Sequence, residues 1–371
     1  MSTVETVDQR RPERIADEVL YVPRALAEAD WRTGTLTAIV PAYNEADHIA
    51  DTVRSLQEQT RPPDSIIVVD DFSDDGTGEI AAALGATVLR PPANTGSKAG
   101  AQNFAIEQVW TAFVMILDAD TTLAADAIEK ILPAFEDPAV AAACGFVIPR
   151  HVHSLWERGR YVEYLFYFSF HKQVQDFYGR PLISSGCFSV YRCGPLRQAG
   201  GWGQRTMAED MDLTWTLFEL GYRVRFIPEA VSYPVEPHDL DFMRKQLTRW
   251  SHAFIQNVRV HWRGIVRMPY LFSAVAVALS DAVLASLVFL MALPLLAVVV
   301  SPVFLVGYVV DAPVIAVPVL IAAQRRGELV KALASLPAFF VLRLVNSYLL
   351  FKALALELVL HRPLTTYEKG H

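Results

Sequence analysis

An α/β fold of the doubly wound kind, followed by membrane-spanning helices, is what this 371-residue sequence predicts. Two observations carry the expectation. Over its first third, four short β-branched runs alternate with stretches of helical spacing. Further on, between Arg267 and Arg325, the only charged residues are Asp281 and Asp311. Composition agrees: with 52% hydrophobic and 20% charged residues and a mean hydropathy of +0.25, the chain has room for one domain plus membrane helices.

Residues 1–34 are polar and charged, with no apolar core and no small-residue cleavage site, so they are read as a polar leader rather than a signal peptide. Helical spacing is expected around Arg14 to Glu28. Next come "LTAIV" at 36–40, "SIIVV" at 65–69, "ATVL" at 86–89 and "FVMIL" at 113–117. None alternates apolar with polar residues, as suits strands covered on both faces of a parallel sheet. Between them, Ala46–Gln57, Thr77–Leu84 and Lys98–Val109 are expected as helices. In such sheets ligands bind beyond the carboxyl ends of the strands. Asp70 with Asp71, and Asp118 with Asp120, close two of these runs and should converge at one edge.

After Pro149 the order changes to "WERGRYVEYLFYFSF", aromatic residues at helical spacing with Arg158, Arg160 and Glu163 interleaved. Either a helix buries those rings in a core, or it lies at a membrane surface or along an acceptor groove. Two crossings are expected near Leu271–Leu293 and Leu295–Ala323, and a weaker third near Leu333–Leu360, which contains Arg343, Lys352 and Glu357. Arg263 and Arg267 before the first crossing, and Arg325, Arg326 and Lys331 after the second, place both flanks and the N-terminal domain in the cytosol. An intramembrane Arg343 needs a partner, and Asp281 is the expected one.

Several motifs invite chemistry and must be weighed against plainer roles. A net charge of -7 gives no basic field for nucleic acid, and Cys144, Cys187 and Cys193 show no CxxC spacing, which suits packing in a reducing compartment. "VVDDFSDDGTGEI" imitates a calcium loop, but Ala82 stands where a bidentate Glu is needed. "NTGSKAGAQN" lacks the spacing of a phosphate-binding P-loop, yet Lys98 ahead of a helix could meet a diphosphate. "HVH" puts His151 and His153 two apart, on one strand face, without a visible third ligand. In "RTMAEDMDLTW", Glu209, Asp210 and Asp212 either complement a helix dipole or offer a general base. "QLTRW" sets Gln246, Arg249 and Trp250 on one helix face, an interfacial anchor or a sugar-stacking, diphosphate-clamping surface.

The order of these motifs says more than any one of them. "IVPAYNE" at 39–45, "VVDD" at 68–71, "KAGAQN" at 98–103, "DAD" at 118–120, "AED" at 208–210 and "QLTRW" together resemble a family 2 glycosyltransferase of the GT-A fold. The similarity is greatest to the membrane-bound branch of cellulose, chitin, hyaluronan and poly-N-acetylglucosamine synthases. It covers roughly Thr35 to His261, and "ISSGCFSVYR" and "GGWGQRT" resemble that branch's acceptor-side loops. The resemblance implies a Rossmann-like nucleotide-diphospho-sugar transferase domain at 35–262 and a membrane region of about three helices at 263–371, in the plasma membrane.

It also implies roles. Ala42, Tyr43 and Glu45 would line the nucleotide, and Asp70 or Asp71 would contact the base. Lys98 and Asp118 would approach the diphosphate, while Asp120, with Asp118, would ligate Mg2+ or Mn2+. Asp210 would be the base activating the acceptor hydroxyl, with Glu209 beside it and Asp212 the first substitute. Ser185 and Gly186 would shape the acceptor side, and Gln246, Arg249 and Trp250 would close over acceptor and diphosphate. The reaction implied is inverting transfer of a hexose or N-acetylhexosamine, from a UDP-sugar first among donors, to a glycan hydroxyl. A lipid or protein acceptor is the alternative, and a homo-oligomer is compatible with the sequence.

Two departures and two competing readings stand beside this. Phe72 occupies the position after the paired Asp where the family usually has Gly, and no apolar helix precedes the domain in this sequence. "MILDADTTL" also fits a haloacid-dehalogenase-type phosphatase, with Asp118 as nucleophile, although three strands come first and no G-D-x-x-x-D follows. A catalytically silent membrane scaffold would need none of the acids.

Overall fold

The computed structural model describes residues 30–365, without the side chains of Asp281 and Ala282. The leader, with the helical stretch expected around Arg14 to Glu28, lies almost wholly outside the described residues. Strands β1 (Leu36–Ala42), β2 (Ser65–Asp70), β3 (Thr87–Leu89) and β4 (Phe113–Leu117) run parallel, with β1 between β2 and β4 and β3 outside β2. Successive side chains of a strand face opposite ways. Thus Leu36, Ala38 and Val40 join one core with Ile49 and Val53 of α1 (Ile49–Gln57), while Ile39 joins another with Ala99 and Ala105 of α3 (Lys98–Ile106). Both faces are covered, so the strand has no polar alternation. Helix α2 (Thr77–Ala83) packs beside β2 and β3.

The expected parallel sheet is only half of what forms. Four more strands, β5 (Thr122–Leu123), β6 (Val140–Val147), β7 (Phe188–Arg192) and β8 (Arg223–Tyr233), complete an eight-stranded mixed sheet of order β3-β2-β1-β4-β7-β6-β8-β5. β7 lies antiparallel between β4 and β6, β8 runs parallel to β6, and β5 pairs antiparallel with β8. The segment "ISSGCFSVYR" is therefore part loop and part strand.

The aromatic stretch is α4 (Leu155–Phe166), started by a capping box between Ser154 and Glu157 and continued by a π turn into α5 (Lys172–Phe177). It buries Tyr161, Val162 and Leu165 against Phe146 and Phe226 of the sheet and Ile315 and Val319 of an apolar helix, so its rings do serve a core. Helix α6 (Glu209–Glu219) precedes β8, and α7 (Leu240–Val260), capped by Asp239, follows it.

Three helices are long and apolar enough to cross a membrane: Pro269–Val299, Pro302–Arg325 and Leu329–Val359. The first joins α8 (Pro269–Leu287) through a π turn to α9 (Leu293–Val299), the second ends in α10 (Ala312–Arg325), and the third is α11 (Leu329–Leu354) with a closing π turn. The first runs past the expected end at Leu293 because Pro294 sits in the opening turn of α9, where its missing N–H costs little, and the break falls at Ser301–Pro302. Arg343 donates to Asp311 at 2.5 Å, with the Phe289 ring 4.2 Å away. The expected contact with Asp281 lies outside the described residues. His151 and His153 stand in irregular chain rather than on a strand, their rings stacked at 5.9 Å.

Candidate active site

Parallel pairing aligns the carboxyl ends of the strands. Ala42 is in register with Asp70, and its carbonyl accepts the Asp71 N–H at 2.8 Å. Both acids of that pair are buried and committed to backbone. The Asp70 carboxylate accepts from the Ser73 N–H at 2.9 Å and meets Arg90 at 3.5 Å, and a Cβ on Gly78 would come within 2.6 Å of it. Asp71 accepts from both the N–H and hydroxyl of Thr95, each at 2.8 Å. Between this loop and the end of β1, Asn44 and Glu45 donate backbone N–H groups to Ser73 and Thr77 at 3.0 and 2.8 Å. Tyr43 is half-exposed at the rim. Phe72 takes φ +75°, the left-handed conformation a glycine would adopt, so the family's turn is kept at the cost of strain.

Lys98 opens α3 behind the Ser97 cap, and its ammonium is the hub of the site. It bonds the Asp118 carboxylate, donates to the Gly186 carbonyl at 2.9 Å and approaches Glu209 at 3.7 Å. Burial alone would lower its pKa, but Asp118, Glu209 and Asp210 outweigh burial and raise it. Asp210, the second residue of α6, accepts from the Gly186 N–H and from the Met211 N–H, each at 2.8 Å. Burial and neighbouring Glu209 push its carboxyl up to about 6 against the pull of Lys98 and these two N–H groups. Gly186 is required here by close approach: a Cβ would lie 2.9 Å from the Asp210 carboxylate and 3.2 Å from the Lys98 ammonium.

Four of the expected residues, Asp118, Lys98, Glu209 and Asp210, thus gather around Gly186. Asp120, two residues after Asp118, accepts the Thr121 hydroxyl at 3.0 Å. Asp212 does not qualify as a substitute base. It is buried and held by Arg205 at 2.7 Å and His261 at 2.6 Å, which keep it below the usual carboxylate range despite burial. Ser185, the residue before Gly186, is buried and accepts from Lys172 at 2.6 Å.

The QLTRW residues sit on a separate flank. Trp250 stacks on the Arg160 guanidinium at 4.4 Å, and Arg160 is itself bound to Glu236 at 3.2 Å and to Tyr164 at 2.7 Å. Cys187, half-buried next to Gly186, has its thiol pKa raised by desolvation and then by Asp118, while Lys98 and Lys172 pull it down. Further along α7, Gln256 accepts the Met207 N–H at 3.0 Å and Asn257 donates to Thr206 at 3.2 Å, so the same helix holds the loop that delivers Glu209 and Asp210. Sequence reasoning missed Lys172, Arg160, Glu236 and Gln256. Only the helical spacing of Gln256 from Gln246, Arg249 and Trp250 could have flagged it.

Among the described residues no cluster of three or more His, Cys, Asp or Glu side chains could hold a metal alone. The donor set of Asp118 and Asp120 still fits a hard divalent cation that keeps water and diphosphate oxygens as its other ligands.

Residues 37–200 match the profile of the family described as Glycosyl transferase family 2. The chain carries a family 2 glycosyltransferase domain. Over 222 residues it is 28% identical to the poly-beta-1,6-N-acetyl-D-glucosamine synthase of Staphylococcus aureus (strain MSSA476), covering 59% of this chain and 54% of the relative. The synthase of Staphylococcus epidermidis aligns with 28% identity over 223 residues. The chain spans about half the length of the curated relatives it matches. Among solved structures, the mannosyltransferase PcManGT from Pyrobaculum calidifontis, in complex with GDP-Man and Mn2+, superposes with a TM-score of 0.58 at 21% identity, covering 88% of this chain and 87% of its own. That likeness bears on fold. Asp118 falls inside the matched glycosyltransferase domain, which sets the phosphatase reading aside.

Proposed function

We propose that this chain is a membrane-bound inverting glycosyltransferase that moves an N-acetylhexosamine or hexose from a nucleoside-diphosphate sugar to a glycan hydroxyl. In this reading residues 35–262 are the transferase and 263–371 the membrane region. One observation supports it above the rest: Asp118, Lys98 and Asp210 meet at Gly186, the convergence that a diphosphate-facing cation and a general base would need. The similarity to poly-N-acetylglucosamine synthases suggests the sugar and the acceptor class.

The nucleoside would lie along Ala42, Tyr43 and Glu45, with Asp70 and Asp71 framing the base. Lys98 would shift from Asp118 toward the departing diphosphate and offset its growing charge. Mg2+ or Mn2+ held by Asp120 and Asp118 would supply Lewis-acid stabilisation of the same leaving group. From the opposite face of the sugar, Asp210 would take the proton of the acceptor hydroxyl as it attacks in line, which inverts the anomeric carbon. Glu209 keeps Lys98 and Asp210 in one electrostatic unit. Gln246, Arg249 and Trp250 would cover acceptor and diphosphate from the flank.

The test is nucleotide release from UDP-N-acetylglucosamine and GDP-mannose, with Mn2+ or Mg2+, followed by mass and anomeric analysis of the product. Metal-dependent release giving a β-linked product from an α-linked donor supports the reading. A retained anomeric configuration, or phosphate freed from a monoester with no nucleotide sugar consumed, would defeat it.

A further inference from the structure

The three apolar helices do not relate to the domain in the same way. The first two form a hairpin whose far end is Ser301–Pro302 and whose two roots pack on the domain: Leu271 and Val275 join the core of Trp215 and Leu217, Ile315 and Val319 that of Tyr161 and Phe226, and the Arg326 guanidinium lies 5.0 Å from the Phe146 ring of β6. The third begins and ends on the domain. At its start Glu328 accepts the Tyr161 hydroxyl of α4 at 3.1 Å, and Lys331 sits 4.6 Å over the same ring. At its end buried Glu357 meets His252 and Gln256 of α7, each at 2.8 Å, and the Leu364 carbonyl accepts from Gln256 at 3.0 Å. Gln256 is the residue that also holds Met207, two positions before Glu209.

Between those ends α11 runs beside α7. Leu342 and Leu349 pack with Met243 and Leu247, and Glu357 follows at His252, so the two helices advance together. α7 cannot be a membrane span, for it carries Asp241, Arg244, Lys245, Arg249 and Arg259. A helix of 31 residues is about 46 Å long, well beyond the ~30 Å hydrocarbon layer, so a crossing would put its two ends in different aqueous phases. Here both ends touch one folded unit. Side chains divide cleanly around the helix: Ala332, Ser335, Ala338, Leu342, Leu349 and Ala353 are buried, and Val330, Leu333, Val341, Tyr348 and Phe351 stand exposed on the other side. That exposed side is apolar and continuous with the hairpin, to which α11 is joined by Ser286 donating to the Ser347 carbonyl at 2.9 Å and by Arg343 on Asp311 at 2.5 Å.

We propose that α11 does not cross the bilayer. It lies along the membrane-facing side of the transferase domain with its apolar side in lipid, and both of its ends share the aqueous phase of the active site. Only the hairpin crosses. The inference rests on the membrane-bound reading above, and it makes the segment after Glu357 a neighbour of the acid-bearing loop rather than an exit on the far side.

Cysteine-substitution labelling of the full-length chain in intact cells tests it, with a membrane-impermeant maleimide and Cys187→Ser as both background and blank, since Cys144 and Cys193 are buried and Cys187 is partly exposed. Glu58→Cys reports the side of the domain, Ser301→Cys the hairpin tip and Thr365→Cys the segment after α11. The expected result is that Thr365→Cys follows Glu58→Cys, reacting only once cells are permeabilised, while Ser301→Cys reacts in intact cells. Thr365→Cys reacting in intact cells would overturn the proposal. If Ser301→Cys also waits for permeabilisation, the two-crossing hairpin is wrong, but shared sidedness of Thr365 and Glu58 still upholds the placement of α11.

Discussion

The parallel half of the sheet, β1 to β4, and the mixed half, β5 to β8, build one edge by different means. In the parallel half Asp70 ends a strand and Asp71 directly follows it, and their partners lie in loops that follow: Ser73 three residues on, Thr95 twenty-four. On the mixed side Asp210 belongs to no strand. It is fixed by Gly186, in the loop before β7, while its own loop is held by Gln256 and Asn257 of α7. The mixed side thus leans on the more distant segments, since 49 residues separate Met207 from Gln256 against 24 between Asp71 and Thr95. Lys98 and Asp118 are where the two meet.

The harshest way to break that junction is Lys98→Met, which leaves Asp118, Glu209 and Asp210 facing one another without a cation. Loss of one preorganised electrostatic group typically costs about 10² to 10³ in kcat, and steady-state nucleotide release should fall in that range. Asp212→Asn attacks the mixed side alone. It leaves buried His261 without its carboxylate while half-exposed Arg205 turns to solvent, and breaking a buried ion pair costs roughly 3 to 5 kcal/mol, readable as a fall in thermal stability in detergent, with activity per folded molecule largely kept. His261 helps set the pH window. Burial would lower its pKa, but Asp212 and Glu219 raise it overall, and Asp212 is held low in return. The pair's contribution is therefore present from about pH 4 to about 6.5 and is lost as pH rises through the raised His261 value. Melting temperature against pH should show that loss in the wild type and not in His261→Phe.

A third comparison concerns Asp210 alone. With its carboxyl pushed up to about 6, kcat/KM should fall roughly tenfold per unit below that pH as the base is protonated. A profile flat down to pH 5 would contradict it. The smallest effect belongs to the parallel side: Phe72→Gly relieves a positive φ and should raise stability by about 1 kcal/mol, with donor binding unchanged in calorimetry.

How far these features were legible follows the same division. The four parallel strands could be read because burial on both faces removes polar alternation from LTAIV and FVMIL. β6 to β8 could not, since their pairing joins segments far apart in sequence and β7 is hidden in what reads as a loop. The order of DAD, AED and QLTRW brought to notice the acids that gather at Gly186. Sequence could not say that Asp212 is consumed by His261, 49 residues away, or that buried Lys172 donates to Ser185. Arg343 makes the same point: its charge demanded a partner, but only packing chose Asp311.

Paired assays of Asp210→Asn put the whole picture at risk most directly: calorimetric binding of UDP with Mn2+, and sugar transfer at saturating donor. A base facing the donor from the acceptor side predicts near wild-type nucleotide affinity with transfer reduced by about 10² to 10⁴. Transfer within a few-fold of wild type, or nucleotide affinity lost together with it, would mean that Asp210 does not face the sugar from across the leaving group.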